Sequence, residues 1–189
     1  MKEEYQQLIK DQYLKSRGDS MMLFKTIVSI AEQTGLALAL ECLEQCVIEK
    51  RVAWLERNAQ SFEKTGNPLV DGYKAFYERY LGLSLPGNGE IIQANGRRIV
   101  FRWWNKCPTL EACQAFGLDT RVICKVVHHQ PVNILLSRVD PRLRFERNYA
   151  ALRPYTPYCE ESIEIDQPLN TGNIQISTRS SEPLPGDKK

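Results

Sequence analysis

Apolar residues recur every three or four positions through the first eighty residues, and every second position in several short runs beyond residue 89. That change of period predicts helices first and strands later. Tyr5, Leu8, Ile9 and Tyr13 mark a first helix that Gly18 can end. Asp19 or Ser20 can cap a second, filled by Met22, Phe24, Ile27, Val28 and Ile30 and stopped by Gly35. A long helix is expected over 36–64, with Leu36, Leu40, Leu43, Cys46, Val47, Ala53, Trp54 and Leu55 among its apolar positions. Asn67 can cap a fourth helix with Pro68 at its first position and Leu69, Tyr73, Phe76, Tyr77 and Tyr80 as its buried stripe.

After "LPGNGE" the run "EIIQANGRRIVFRWW" sets two β-prone segments around Asn95-Gly96, which predicts a hairpin whose two turn residues take positive φ. "CPTLEACQAFG" predicts a short helix beginning at Pro108 or Thr109 and ending at Gly117. Asp119 can cap a further helix, "TRVICKVVHH", which Pro131 ends or kinks before "VNILLSRV" carries it to Asp140-Pro141. Two more strands follow. One places Leu143, Phe145, Arg147 and Tyr149 on a single face, and the other does so with Cys159, Glu161, Ile163 and Ile165. The expected fold class is α+β: N-terminal helices packed with a roughly four-stranded antiparallel sheet and an inserted helical pair. Residues 1–166 read as one domain, with 1–85 its helical half and 90–166 the hairpin, helical pair and two strands. The polar, aperiodic stretch 167–189 reads as a mobile tail.

Composition narrows the function classes. The 189 residues are 42% hydrophobic, enough for a core. A net charge of +2 with no basic run makes nucleic acid an unexpected partner. The longest mostly apolar stretch is interrupted by Glu41 and Glu44, so no membrane span is expected. The N-terminus does not read as a secretion signal, which points to a cytoplasmic protein. Its six cysteines then read as thiols or metal ligands rather than cystines. The long amphipathic helices offer a homodimer interface.

Three cysteines stand apart from the core stripes. Cys107 precedes the helix that starts at Pro108, where helix dipole and free N–H groups should lower its pKa; the alternative is a small hydrophobe in the turn. Cys124 and His128 are four apart on a predicted helix and share a face, as metal ligands or as a thiol with its base. Cys159 lies on the face of its strand that also carries Glu161, while Arg147 breaks the apolar face of the preceding strand. Carboxylates are rarely buried unpaired, so Arg147 and Glu161 form a pair, Arg147 awaits a ligand carboxylate, or both reach water at an edge. Cys42, Cys46 and Cys113 read as core. Of Trp103 and Trp104, one should be core and the other should line a pocket or cover an edge.

The order "CP" opening a helix, "FGLD" ending it, then "ICKVVHH", "VDPRLRFER" and "YCEESIEI" resembles the L-2-amino-thiazoline-4-carboxylic acid hydrolase-like family over about residues 97–166. The arrangement is also similar, more distantly, to vinyl-reductase-like domains, small-molecule-binding modules whose cysteines can hold zinc. The first resemblance implies a small cytosolic α+β protein that opens a thiazoline ring by hydrolysis. The cysteines matching its pattern are Cys107, Cys124 and Cys159. Lys125, His128 and His129 stand where many relatives have an acidic residue. The hydrolase reading gives Cys107, His128 and Glu161 catalytic roles, with Arg147, Trp103 and Tyr149 binding a small, carboxylate-bearing molecule. The alternative is a non-catalytic metal- or ligand-binding sensor or adaptor, with Cys107, Cys124, Cys159 and His128 as a zinc set.

Overall fold

The computed structural model describes residues 2–15 and 20–166, with side chains omitted at 13–15. The expected roles of Gly18 and Asp19, and the tail 167–189, fall outside the described residues. Helices α1 (Lys2–Lys15), α2 (Ser20–Thr34) and α3 (Leu36–Asn58) come first. Gly35, at φ 88°, turns the chain from α2 into α3. A 3-10 turn at Ala59–Ser61 follows α3. The long helix therefore stops at Asn58, short of the expected residue 64. Asn58 Nδ2 donates to the Trp54 carbonyl at 2.7 Å and Ser61 Oγ donates to the Asn58 carbonyl at 2.7 Å. These side chains take carbonyls that would otherwise continue the helical ladder.

Asn67 caps α4 (Pro68–Tyr73) by accepting from the Leu69 and Val70 amides, with Pro68 in the first turn. The helix widens into a π-helical segment, Lys74–Tyr80. Strands β1 (Gly89–Ala94) and β2 (Arg98–Trp103) pair antiparallel with a bulge between Ile91 and Gln93. Their connection differs from the expected two-residue turn. Three residues, 95–97, join the strands, and Asn95 Oδ1 accepts from the Arg97 and Arg98 amides at 2.9 and 3.0 Å. The asparagine side chain holds the turn.

Helix α5 (Pro108–Phe116) ends at Gly117, whose φ of 64° is left-handed. Asp119 caps α6 (Thr120–Cys124), accepting from the Arg121 amide. A π-helical segment, Lys125–His129, leads into α7 (Gln130–Val139). Strands β3 (Leu143–Asn148) and β4 (Cys159–Ile165) complete an antiparallel sheet of order β1-β2-β4-β3. The fold is α+β. β4, last of the strands in sequence, lies inside, between β2 and β3.

One face of the sheet is apolar apart from Cys159, Glu161 and Arg147. Ile99, Phe101, Trp103, Leu143, Phe145, Ile163 and Ile165 pack there against Tyr73, Phe76, Tyr77, Val132, Leu135 and Leu136 of the helices. A second cluster joins α1, α2 and α3 to Ala112, Cys113, Ile123 and Val127, and α3 runs through both. Cys42, Cys46 and Cys113 are core residues here, as expected. The other face of the sheet carries cross-strand charges. Arg102 pairs with Glu160 at 3.0 Å, Arg98 with Glu164 at 3.9 Å, and Arg144 with Asp166 at 3.3 Å. Among the described residues, no helix is long and apolar enough to cross a membrane.

The free edge of β3 is covered by a side chain. Asn133 of α7 donates from Nδ2 to the Phe145 carbonyl at 3.0 Å and accepts at Oδ1 from the Phe145 amide at 2.8 Å. The primary amide stands in for a neighbouring strand and satisfies an edge that would otherwise lie unpaired.

Candidate functional site

The break in strand alternation locates the site. Arg147 and Glu161 are direct cross-strand partners, and Phe101 flanks Glu161 on its other side. Their side chains are only 6% and 5% exposed, so neither is an edge group reaching water. Arg147 Nη2 donates to Glu161 Oε2. Burial works against the Arg147 charge; the Glu161 carboxylate, with Cys124, Cys159 and Tyr77 nearby, outweighs it and pushes the guanidinium pKa up. The guanidinium therefore stays charged within the apolar layer. Arg147 Nε has no hydrogen-bond partner among the described residues.

Beside this pair lies a cavity of about 50 Å³, lined by Cys107, Cys159, His128, Arg147, Arg153 and Glu161, with Tyr77 and Trp103 among its walls. Two turns of chain bring the thiols there. β2 ends at Trp103, opposite Cys159 at the start of β4. Four residues later Cys107 precedes Pro108, whose fixed φ suits the first turn of α5.

The expected fall in the Cys107 pKa is not what this environment produces. Burial pushes the thiol up, although the Leu110 amide and the Arg153 and Arg147 guanidinium groups act in the opposite direction. A nine-residue helix offers a weak field at its first turn, and desolvation of a thiolate costs more.

His128 is neutral. Burial, then the charges of Arg147 and Arg51, hold its pKa well below the usual histidine value. Among the described residues, its Nδ1 has no hydrogen-bond partner. Trp103 Nε1 also lacks one. The Tyr77 hydroxyl faces the Glu161 carboxylate and the Trp103 indole without a well-aligned hydrogen bond to either. Its ring stacks on Trp103 with centroids 4.7 Å apart. Buried donors without acceptors are uncommon, and several belong to the walls of one small cavity.

The zinc set does not assemble. Among the described residues, no group of three or more His, Cys, Asp or Glu side chains is placed to hold a metal ion. The reason is electrostatic as well as geometric. The charge of Arg147 acts on Cys107, Cys124 and His128, and a cation near these donors opposes the binding of a dication. Cys124 is 3% exposed and its thiol is pushed up to about 12 by burial. The π-helical turn after Cys124 also alters the spacing, since its bonds run five residues along rather than four.

The remaining expected residues divide. Trp103 is core and lines the cavity, whereas Trp104 is 45% exposed and donates from Nε1 to the Gly87 carbonyl at 3.2 Å. Tyr149 is not part of the cavity wall. Its ring faces His129 at 6.4 Å, and burial pushes its hydroxyl up to about 12. Arg153 was not expected. It lies in the loop between β3 and β4, donating from Nε to Cys159 Sγ at 3.5 Å and from Nη1 to the Asn105 carbonyl at 2.7 Å. An arginine in a loop of mixed residues carries no periodic signal; its place just before Pro154, in a stretch with two prolines and three tyrosines, "YAALRPYTPY", is the only local cue. Comparison of the chain with protein-family models, curated proteins and solved structures finds no match.

Proposed function

We propose that the chain hydrolyses a small cyclic C–N or C–S compound bearing a carboxylate, as the resemblance to the thiazoline-carboxylate hydrolases implies. The observation that carries this reading is one cavity joining a thiol, a neutral imidazole and a buried arginine. Cys107 starts protonated, so it needs a base. His128, held neutral, offers an unprotonated ring nitrogen; burial and the two arginines make it a weak base and, once protonated, a ready proton donor. As Cys107 Sγ bonds to the ring carbon between nitrogen and sulfur, its proton passes to His128. That proton then goes to the ring heteroatom whose bond to the carbon breaks. Water releases the product from sulfur, so one water is consumed. Arg147 keeps its Nη2 on Glu161 and offers Nε to the substrate carboxylate, with the Trp103 indole N–H as a second donor. Glu161 positions Arg147.

A second reading, binding without turnover, draws on two observations. The cavity of about 50 Å³ is far smaller than a typical ligand pocket of several hundred Å³, so a ring must part its walls. In addition, the Cys107 thiol is pushed up rather than activated. Rapid quench of protein with 2-amino-thiazoline-4-carboxylate, read by intact mass, separates the two. Catalysis predicts a transient adduct on Cys107 that is absent from Cys107→Ser. Calorimetric binding with no adduct favours the second reading.

A further inference from the structure

The hydrolytic reading leaves Cys159 without a role, although it lines the same cavity as Cys107. The six thiols fall into two groups: Cys42, Cys46, Cys113 and Cys124 are buried, while Cys107 and Cys159 are partly exposed. Burial raises the four sealed thiols, Cys113 to about 11 and Cys124 to about 12. The two reachable sulfurs are also within electrostatic reach of one another.

Cys159 has a fixed cation against it. Arg153 donates from Nε to its sulfur and is anchored from the other side by the Asn105 carbonyl. The indole N–H of Trp103, a residue 2% exposed on the neighbouring strand, has no acceptor among the described residues and belongs to the same cavity wall. A cavity of about 50 Å³ suits something near the size of one or two water molecules, each filling about 30 Å³ in the liquid. Hydrogen peroxide fits that description. It is small and polar, and negative charge develops on its leaving oxygen when a thiol attacks.

We propose that Cys159 is a site of oxidation by small hydroperoxides, and that Cys107 captures the oxidised sulfur as an intramolecular disulfide. The Cys159 sulfur attacks one peroxide oxygen and the O–O bond breaks. The other oxygen leaves with the thiol proton as an alcohol, or as water when the oxidant is hydrogen peroxide. The sulfur becomes a sulfenic acid and the peroxide is reduced. Cys107 Sγ then attacks that sulfur, the S–S bond forms, the S–O bond breaks, and the hydroxyl leaves as water with the Cys107 proton. Arg153 holds the charge on the departing oxygen in the first step. This chemistry needs no hydrolytic substrate and stands whether or not the hydrolase reading does.

The test treats the reduced full chain with near-stoichiometric hydrogen peroxide and maps its cysteines by mass spectrometry without reduction. The expected product is a Cys107 peptide linked to a Cys159 peptide, separated again by dithiothreitol. In Cys107→Ser, dimedone should label Cys159; in Cys159→Ser, dimedone should leave Cys107 unlabelled. Arg153→Gln should slow oxidation roughly tenfold, the loss of one charge-assisted hydrogen bond, and Arg153→Lys should recover part of the rate. First oxidation at any other cysteine would overturn the proposal. So would an unlabelled Cys159 in Cys107→Ser, or an unchanged rate in Arg153→Gln. The wild-type map alone shows whether any cysteine outside this pair is oxidised first, even where a variant folds poorly.

Discussion

Arg147 and Glu161 stand opposite one another on neighbouring strands and close an ion pair on the helix-facing side of the sheet. Their neighbours along the strands, Phe145 and Ile163, belong to the apolar core. A charge in that layer is tolerable only while its partner is present. Removing one partner is therefore expected to cost more than removing both. Glu161→Leu should lower unfolding free energy by about 3–5 kcal/mol, and Arg147→Met with Glu161→Leu should recover most of that loss. Urea denaturation of the two variants checks this, and equal losses in both would refute the argument.

His128 predicts a pH dependence. Its folded pKa lies below the unfolded value of about 6.5, so between the two the unfolded chain binds more protons. Stability is then fully present above pH 6.5 and falls as pH drops below it. From pH 7.5 to 5.5 this one group should remove roughly 1.4 kcal/mol. The difference between wild type and His128→Asn, measured by urea midpoint at both pH values, isolates it; identical slopes would contradict a neutral buried imidazole.

Asn133 covers both polar groups of Phe145 at the sheet edge. Asn133→Leu keeps the bulk and leaves that amide and carbonyl unpaired, at a cost of about 2 kcal/mol or more. Amide exchange at Phe145 should accelerate beyond what the global stability loss explains. An unchanged exchange rate there would remove the edge-capping role.

Gly89 meets the Trp103 side of β2 closely. A Cβ placed on it would lie 2.5 Å from the Arg102 carbonyl oxygen and 2.7 Å from the Trp103 ring. Gly89→Ala should therefore shift β1 or the indole and cost about 1–3 kcal/mol. Near-ultraviolet circular dichroism should change because Trp103 stacks on Tyr77. A wild-type aromatic spectrum would show the contact to be slack.

Local signals in the sequence were enough for the elements. Asn67, Asp119 and Gly117 act at helix ends where their side chains or backbone freedom suggest they should. The breach of alternation at Arg147 and Glu161 was legible too, because a strand's period of two assigns each side chain a face. What escaped depends on long-range packing. Nothing near β4 tells that it lies inside the sheet, between β2 and β3. Arg153 reaches Cys159 and Asn105 only after the sheet has formed. The Cys107 thiol follows the same rule: the helix start beside it is local, but the burial that raises its pKa comes from the rest of the chain. The four-residue spacing of Cys124 and His128 assumed a regular α-helix, which the wider turn at Lys125–His129 replaces.

The most direct measurement follows 2-amino-thiazoline-4-carboxylate by proton NMR in the presence of wild-type protein and Cys107→Ser, with folding verified for both. Ring opening by wild type, lost in Cys107→Ser while binding persists, is the predicted result. An intact substrate with no detectable binding to either protein would contradict a carboxylate-accepting site beside Arg147.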